Sequence, residues 1–412
     1  MIYKRNNLNK YILIVILFII AFNSLGITKN ENMENKKIHN NIIIENIDVG
    51  KMTQKEALNK LSKIYEIKNF KIIYNDRIWN IRPQNIELDY HIEESVKEAF
   101  NYTRSDNTWE NIKRKTGLRV NKPYTIKLKA TYSETKLSEE LSKISNEINI
   151  DAQDATLKVE PNGEIKRTKS KIGKQVDLSR LKEEIYTMLN NKKIKDINLE
   201  VIDLKPRIST EEVESIDTIL AQFSTSFNDS TSRGSNIHVA GESTSDILLM
   251  PGDMFSYNRA TGARTWNNGY KSAPIIVGGR VVNGEGGGVC QVSTTIYNAA
   301  LLSGLKIDEV HNHTIPSRYA PRGRDASVSY GYTDLKFTNP FNHPIYIKNI
   351  VGNGAITTKI YGCKSDCQKI IIKMKEEFSK DKITVQTYRL YLDEENNIMN
   401  KELISTSRYK LK

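Results

Sequence analysis

The stretch Glu285-Gly286-Gly287-Gly288-Val289-Cys290-Gln291-Val292-Ser293-Thr294-Thr295-Ile296-Tyr297-Asn298-Ala299-Ala300-Leu301-Leu302 constrains this chain more than any other. Three glycines permit backbone angles and close approaches that a residue with a Cβ does not adopt. Behind them Val292, Ile296, Ala299, Ala300 and Leu302 fall near one face at helical spacing. The expected structure is a turn that delivers the Cys290 thiol to a helix start. Ser293, Thr294 and Thr295 are residue types that cap orphan amides, and Gly304 closes the helix. A thiol among unpaired N–H groups and positive dipole charge is favoured as thiolate, and the same N–H groups suit an oxyanion. A small cysteine packed into a core fits the same short pattern, so the residues alone leave both readings open.

The N-terminus narrows the surroundings. Lys4, Arg5 and Lys10 precede a mostly apolar run from Tyr11 to Phe22 that fades after Ile27. This is about the shortest apolar length that spans a bilayer, and basic flanks stay inside. No small-x-small cleavage site follows, so residues 1–27 are expected to be an uncleaved single-pass membrane anchor with the rest of the chain on the outer side. That placement argues against nucleic acid as a partner. The net charge of +12 then points to anionic wall polymers or headgroups. Of the three cysteines, Cys363 and Cys367 are spaced to form a small disulfide loop outside the membrane, which leaves Cys290 as the odd thiol. A zinc site at that pair lacks two ligands, with His343 remote, and no metal or cofactor is expected.

Helices and strands recur in an α+β order over 412 residues, enough for several cores. After the anchor come a polar spacer at 28–40, an α+β subdomain at 41–92, a further α+β binding or spacing region at 93–205, a mixed α/β cysteine domain at 206–365 and a β-rich extension at 366–412. Thr53-Gln-Lys-Glu56 and Ser209-Thr-Glu-Glu212 are capping boxes, the second expected to open a helix through Val213, Ile216, Ile219, Leu220 and Phe223. Helices are also expected at 92–102, 137–148 and behind Asp177, and hairpins at Pro161-Asn162-Gly163 and Gly278-Gly279. Ala326–Tyr330, Leu335–Thr338, Ile345–Ile350 and the tail from Lys369 alternate like strands.

Phe255-Ser-Tyr-Asn258, Gly269-Tyr270, Gly286 to Thr294, Tyr297-Asn-Ala299, His313 and Gly323-Arg-Asp-Ala-Ser-Val328 together resemble the VanW-domain family of bacterial exported proteins, over about residues 222–362. Residues 93–204 more diffusely resemble the peptidoglycan-binding domain that often precedes it. The resemblance implies a wall-linked role outside a bacterial membrane and, for some members, L,D-transpeptidation of peptidoglycan through the cysteine of Gly-Gly-Gly-x-Cys, here Cys290. Acyl transfer also needs a base, an oxyanion site and a means of holding an anionic stem peptide. His313 is the first choice for the base, with His311 the alternative because alternate positions of an extended segment share a face. Asp325 either orients the imidazole or caps the turn at Gly323. Arg322 and Arg324 are candidates to clamp stem carboxylates, and Gln291, Ser293 and the Gly287 and Gly288 amides to meet the oxyanion. Trp266 and Tyr270 either line a groove or pack in the core. A non-catalytic wall-binding protein and a cysteine peptidase or amidase acting on stem peptides are the competing functions.

Overall fold

The computed structural model describes residues 35–410 other than Asn121, Pro161, Gly278 and Gly279. The membrane segment expected over 1–27 lies outside the described residues, as does most of the spacer behind it. Among the described residues no helix is long and apolar enough to cross a membrane. The architecture is mixed α+β with a β-rich C-terminus. It divides into two compact units, the first made of Met1–Asp151 with Lys174–Asp203, the second of Ala152–Gly173 with Leu204–Lys412.

The first unit is built from local signals. Thr53 caps Gln54–Ile64 in a full capping box with Glu56, Ser133 caps Glu134–Ile148, and Asp177 caps Leu178–Asn190. The buried faces of the last two, through Leu137, Leu141, Ile144, Leu181, Ile185 and Leu189, share a core with Phe70 and Ile72 of a three-stranded sheet. A helix that the periodicity does not announce, Thr108–Arg119, buries only Leu118 and leaves Trp109 and Ile112 exposed.

The second unit surrounds one helix. Val289–Leu302 is buried along almost its whole length, on every face, with Cys290 and Leu302 as its part-exposed members. Its apolar side chains share a core with Ile237 and Ala240 of the helix Ser232–Ser243 and with Ile345, Ile347, Ile356 and Ile360 of the main sheet. Burial of each such side chain stabilises by about 1.5–3 kcal/mol. The main sheet is antiparallel, in the order Thr218–Ser226, Ala355–Gly362, Ile345–Gly352, Ile247–Leu249. The hairpin Ser272–Val277 and Arg280–Glu285 leads into the cysteine turn. Lys369–Phe378, Lys382–Leu392 and Ile398–Lys410 form the C-terminal sheet.

Three expectations change. The hairpin Thr156–Val159 with Ile165–Thr168, expected in the region at 93–205, packs in the second unit through Leu157 and Val159 against Val213, Tyr346 and Tyr361. The capping box at Ser209 opens only Thr210–Glu214, because the run Thr218–Ser226 is taken by pairing with Ala355–Gly362. Ala326–Val328 joins no ladder: Ala326 N–H donates to Thr294 Oγ1 and Ser327 N–H to the His311 carbonyl. That segment is held as a strap over the cysteine helix.

Glycine substitutions test how tightly the turn is held. A Cβ at Gly287 would lie 2.7 Å from the Pro274 carbonyl oxygen, a backbone atom, whereas one at Gly117 meets nothing within 4 Å. Gly287→Ala is expected to destabilise the second unit by about 1–3 kcal/mol, and Gly117→Ala to stabilise its helix by up to ~1 kcal/mol. Urea unfolding of each variant measures both.

Candidate functional site

The thiol is presented by a turn in which backbone, not side chains, makes the fit. Gly288 is the residue before the helix, with φ +113° and no side-chain cap, so Ser293, Thr294 and Thr295 do not cap as expected. They lie inside the helix, where Ser293 Oγ donates to the Ala326 carbonyl at 2.7 Å and Thr295 pairs with Thr225. Asn236, fully buried, donates to the Gly287 carbonyl at 2.9 Å, and Tyr257 Oη donates to the Val289 carbonyl at the same distance. The amides of Val289 and Gln291 close onto Gly286 and Gly288, while that of Cys290 has no hydrogen-bond partner among the described residues. Cys290 Sγ is part-buried and lies 3.6 Å from the Val328 carbonyl.

Opposite the thiol stands His313. Its Nδ1 donates to Asp325 Oδ2 at 2.6 Å and its backbone N–H to the same oxygen at 2.7 Å. A carboxylate only accepts, so this bond puts the proton on Nδ1 and leaves Nε2 for the sulfur. The other oxygen, Asp325 Oδ1, accepts from Tyr409 Oη, which itself accepts from Gly323 N–H at 2.6 Å. Burial pushes the Cys290 thiol up, yet the interaction with His313 outweighs it and holds the thiol below its ordinary range. Burial would lower the imidazole, but Asp325 and then Cys290 raise it to about 10. Each partner thus favours the charged form of the other, thiolate beside imidazolium.

Cys290 and His313 open on a cleft of about 580 Å³, also lined by Gly286–Gly288, Arg233, Arg264, Tyr319 and Tyr330. The other sequence candidates divide sharply. His311 is exposed, bonds Glu309 at 3.0 Å and lines a different cavity from that of Cys290. Asp325 orients the imidazole rather than capping the turn. Arg322 pairs with Glu376, and Arg324 donates to Asn298 at 2.6 Å; neither lines the cleft. Gln291 lines it, but its amide nitrogen is committed to Thr225 and Ser226 and its oxygen to Arg233, so it has no donor for an oxyanion. Ser293 has none either, since its hydroxyl is bound to the strap. Tyr270 is core, and Trp266 is 64% exposed outside the cleft. Cys363 and Cys367 are free thiols. Sequence reasoning missed Tyr409, Arg233 and Arg264, which lie far from the cysteine motif and come into place only through the fold.

Residues 232–361 match the family described as VanW like protein, and residues 79–198 one described as Putative peptidoglycan binding domain. The chain carries a VanW-like domain. It is 38% identical over 181 residues to the uncharacterized protein YoaR of Bacillus subtilis, covering 43% of this chain and 60% of that one. It is 28% identical over 109 residues to the Vancomycin B-type resistance protein VanW of Enterococcus faecalis, covering 25% of this chain and 40% of that one. The chain thus spans less than two thirds of either relative. No solved structure matches it. Cys290, His313 and Asp325 all fall inside the VanW match, whereas Tyr409 falls outside it.

Alkylation by iodoacetamide, followed at the Cys290 peptide, tests the arrangement. The rate of the parent should persist to lower pH than that of an ordinary thiol. Asp325→Asn should move the inflection up by about one pH unit or more, and Tyr409→Phe in the same direction by less. A profile of Asp325→Asn that superimposes on the parent would contradict the triad.

Proposed function

We propose that this cell-wall-associated protein is a cysteine acyltransferase, an L,D-transpeptidase that forms 3-3 cross-links between peptidoglycan stems on the outer face of the membrane. The observation that carries the proposal is the convergence of a thiol, an imidazole and a buried carboxylate at a helix start that opens on a cleft. The match to a peptidoglycan-binding family over residues 79–198 supports the substrate class.

The chemistry follows from the residues. Cys290 thiolate attacks the carbonyl carbon of the third stem residue, a diamino acid, and the developing oxyanion takes up the unpartnered Cys290 N–H. The C–N bond to the terminal D-amino acid breaks, and the imidazolium of His313 gives its proton to the leaving amine. A thioester remains. The side-chain amine of a second stem attacks it while neutral His313 takes the proton, the C–S bond breaks, and thiolate and imidazolium return. Asp325 holds the ring in one tautomer throughout both half-reactions.

Intact-mass analysis with a tetrapeptide stem reads the first half-reaction. The parent should gain the acyl mass, and Cys290→Ala should not. His313→Ala is expected to slow acylation by about 10²–10⁴-fold, while His311→Ala stays near the parent. Equal acylation of Cys290→Ala and parent removes the assignment. Freed tripeptide in place of a cross-linked dimer would make the protein a hydrolase working through the same acyl-enzyme.

A further inference from the structure

The glycines of the cysteine turn leave room for two arginines. A Cβ at Gly286 would lie 2.8 Å from Arg264 Cβ, and one at Gly288 would lie 3.0 Å from Arg233 Cγ. Both arginines line the Cys290 cleft and pack against the turn that presents the thiol. Arg233 spends one nitrogen on Gln291 at 2.7 Å. Arg264 Nη2 donates to Asn258 at 2.6 Å, but its Nε and Nη1 are closed off from water with no hydrogen-bond partner. Its guanidinium lies 5.5 Å from the ring centre of Tyr257 and 5.7 Å from that of Tyr330.

A buried guanidinium with two idle nitrogens is costly unless an acceptor arrives to use them. Within the cleft the lining carboxylate is Glu285, which pairs with neither arginine. We infer that Arg264, assisted by Arg233, reads a carboxylate of the acyl donor, so that the cleft selects peptides carrying a free carboxylate near the bond that Cys290 cleaves. A guanidinium fork matches that group in shape and charge. Tyr257 is fully buried, whereas Tyr330 is 53% exposed and lines the cleft, so the carboxylate reaches Arg264 by displacing Tyr330. The inference about stem peptides rests on the proposed acyl transfer; the anion preference of the cleft does not.

Two alkylating agents of nearly equal size, iodoacetate and iodoacetamide, separate the two. In the full chain the iodoacetate-to-iodoacetamide rate ratio at Cys290 should exceed that at exposed Cys367 by about ten-fold. Arg264→Gln should lower the ratio at Cys290 by about ten-fold while leaving the iodoacetamide rate at alkaline pH within about two-fold. Arg264→Lys, which keeps the charge and loses the fork, should fall between, and it serves if the glutamine variant does not fold. A ratio unchanged in both Arg264 variants overturns the inference. Stems amidated either at the terminal carboxyl or at an internal one then locate the group: the amidated form whose acylation no longer depends on Arg264 names the carboxylate that is read. If no stem acylates Cys290 but the halide ratio still follows Arg264, acyl transfer fails and the anion site stands. If stems acylate equally well with and without Arg264, the reading of a donor carboxylate fails and acyl transfer stands.

Discussion

Asp325 is a carboxylate almost wholly removed from water, and the candidate site is arranged to make that tolerable. A buried negative charge without partners costs several kcal/mol. Here it is met by the His313 ring, the His313 backbone and the Tyr409 hydroxyl. These donors come from two distant parts of the chain. His313 comes from the segment that returns after the cysteine helix, and Tyr409 from the last strand of the C-terminal sheet. Thr387 of the neighbouring strand donates to the Gly323 carbonyl at 2.8 Å, and Lys410 N–H to that of Thr314 at 2.9 Å. The sheet that follows the VanW match is thus tied to both loops that carry the site. Its role is to hold the carboxylate, and through it the imidazole, at a fixed angle to the sulfur.

Several polar residues of the motifs quoted from the sequence are structural in the fold. Asn258 donates to the Thr333 carbonyl at 2.9 Å and receives Arg264, which fixes the turn bearing Tyr330. Asn298 receives Arg324 and donates to its carbonyl at 2.8 Å, which sets the residue next to Asp325. Ser293 and Thr294 hold the strap at Ala326. In each case a polar side chain inside the core secures backbone that has no ladder partner, as buried backbone requires.

How much of this was legible depends on whether the governing interaction is local. Capping boxes at Thr53 and Ser209 and the cap at Asp177 act within four residues, and all three are present. The Gly-rich turn and the cysteine helix are likewise local, and Cys290, His313 and Asp325 are brought together. What failed is tertiary. The helix after Ser209 yields to a strand because its alternating run has a partner at Ala355–Gly362. Arg322 and Arg324 sit beside Asp325 in sequence, yet neighbours along a chain point apart, and the cleft instead draws Arg233 and Arg264 from two other elements. Tyr409 is 84 residues from its carboxylate and carries no local signal.

The reactive pair also bears on stability. His313, raised from an ordinary 6.5 to about 10, contributes fully below the ordinary value, and that contribution fades as pH rises and is gone above about 10. Cys290 runs the other way: held below its ordinary 9.0, it contributes above that value and loses its contribution as pH falls through the lowered one. Between the lowered thiol value and about 10 the charged pair is the protonation state that folding favours over the neutral one. Active sites commonly hold groups in states the fold resists. Here the cost of burial falls on Asp325 and is offset by Tyr409 and His313, and the same imidazole stabilises the charged form of Cys290.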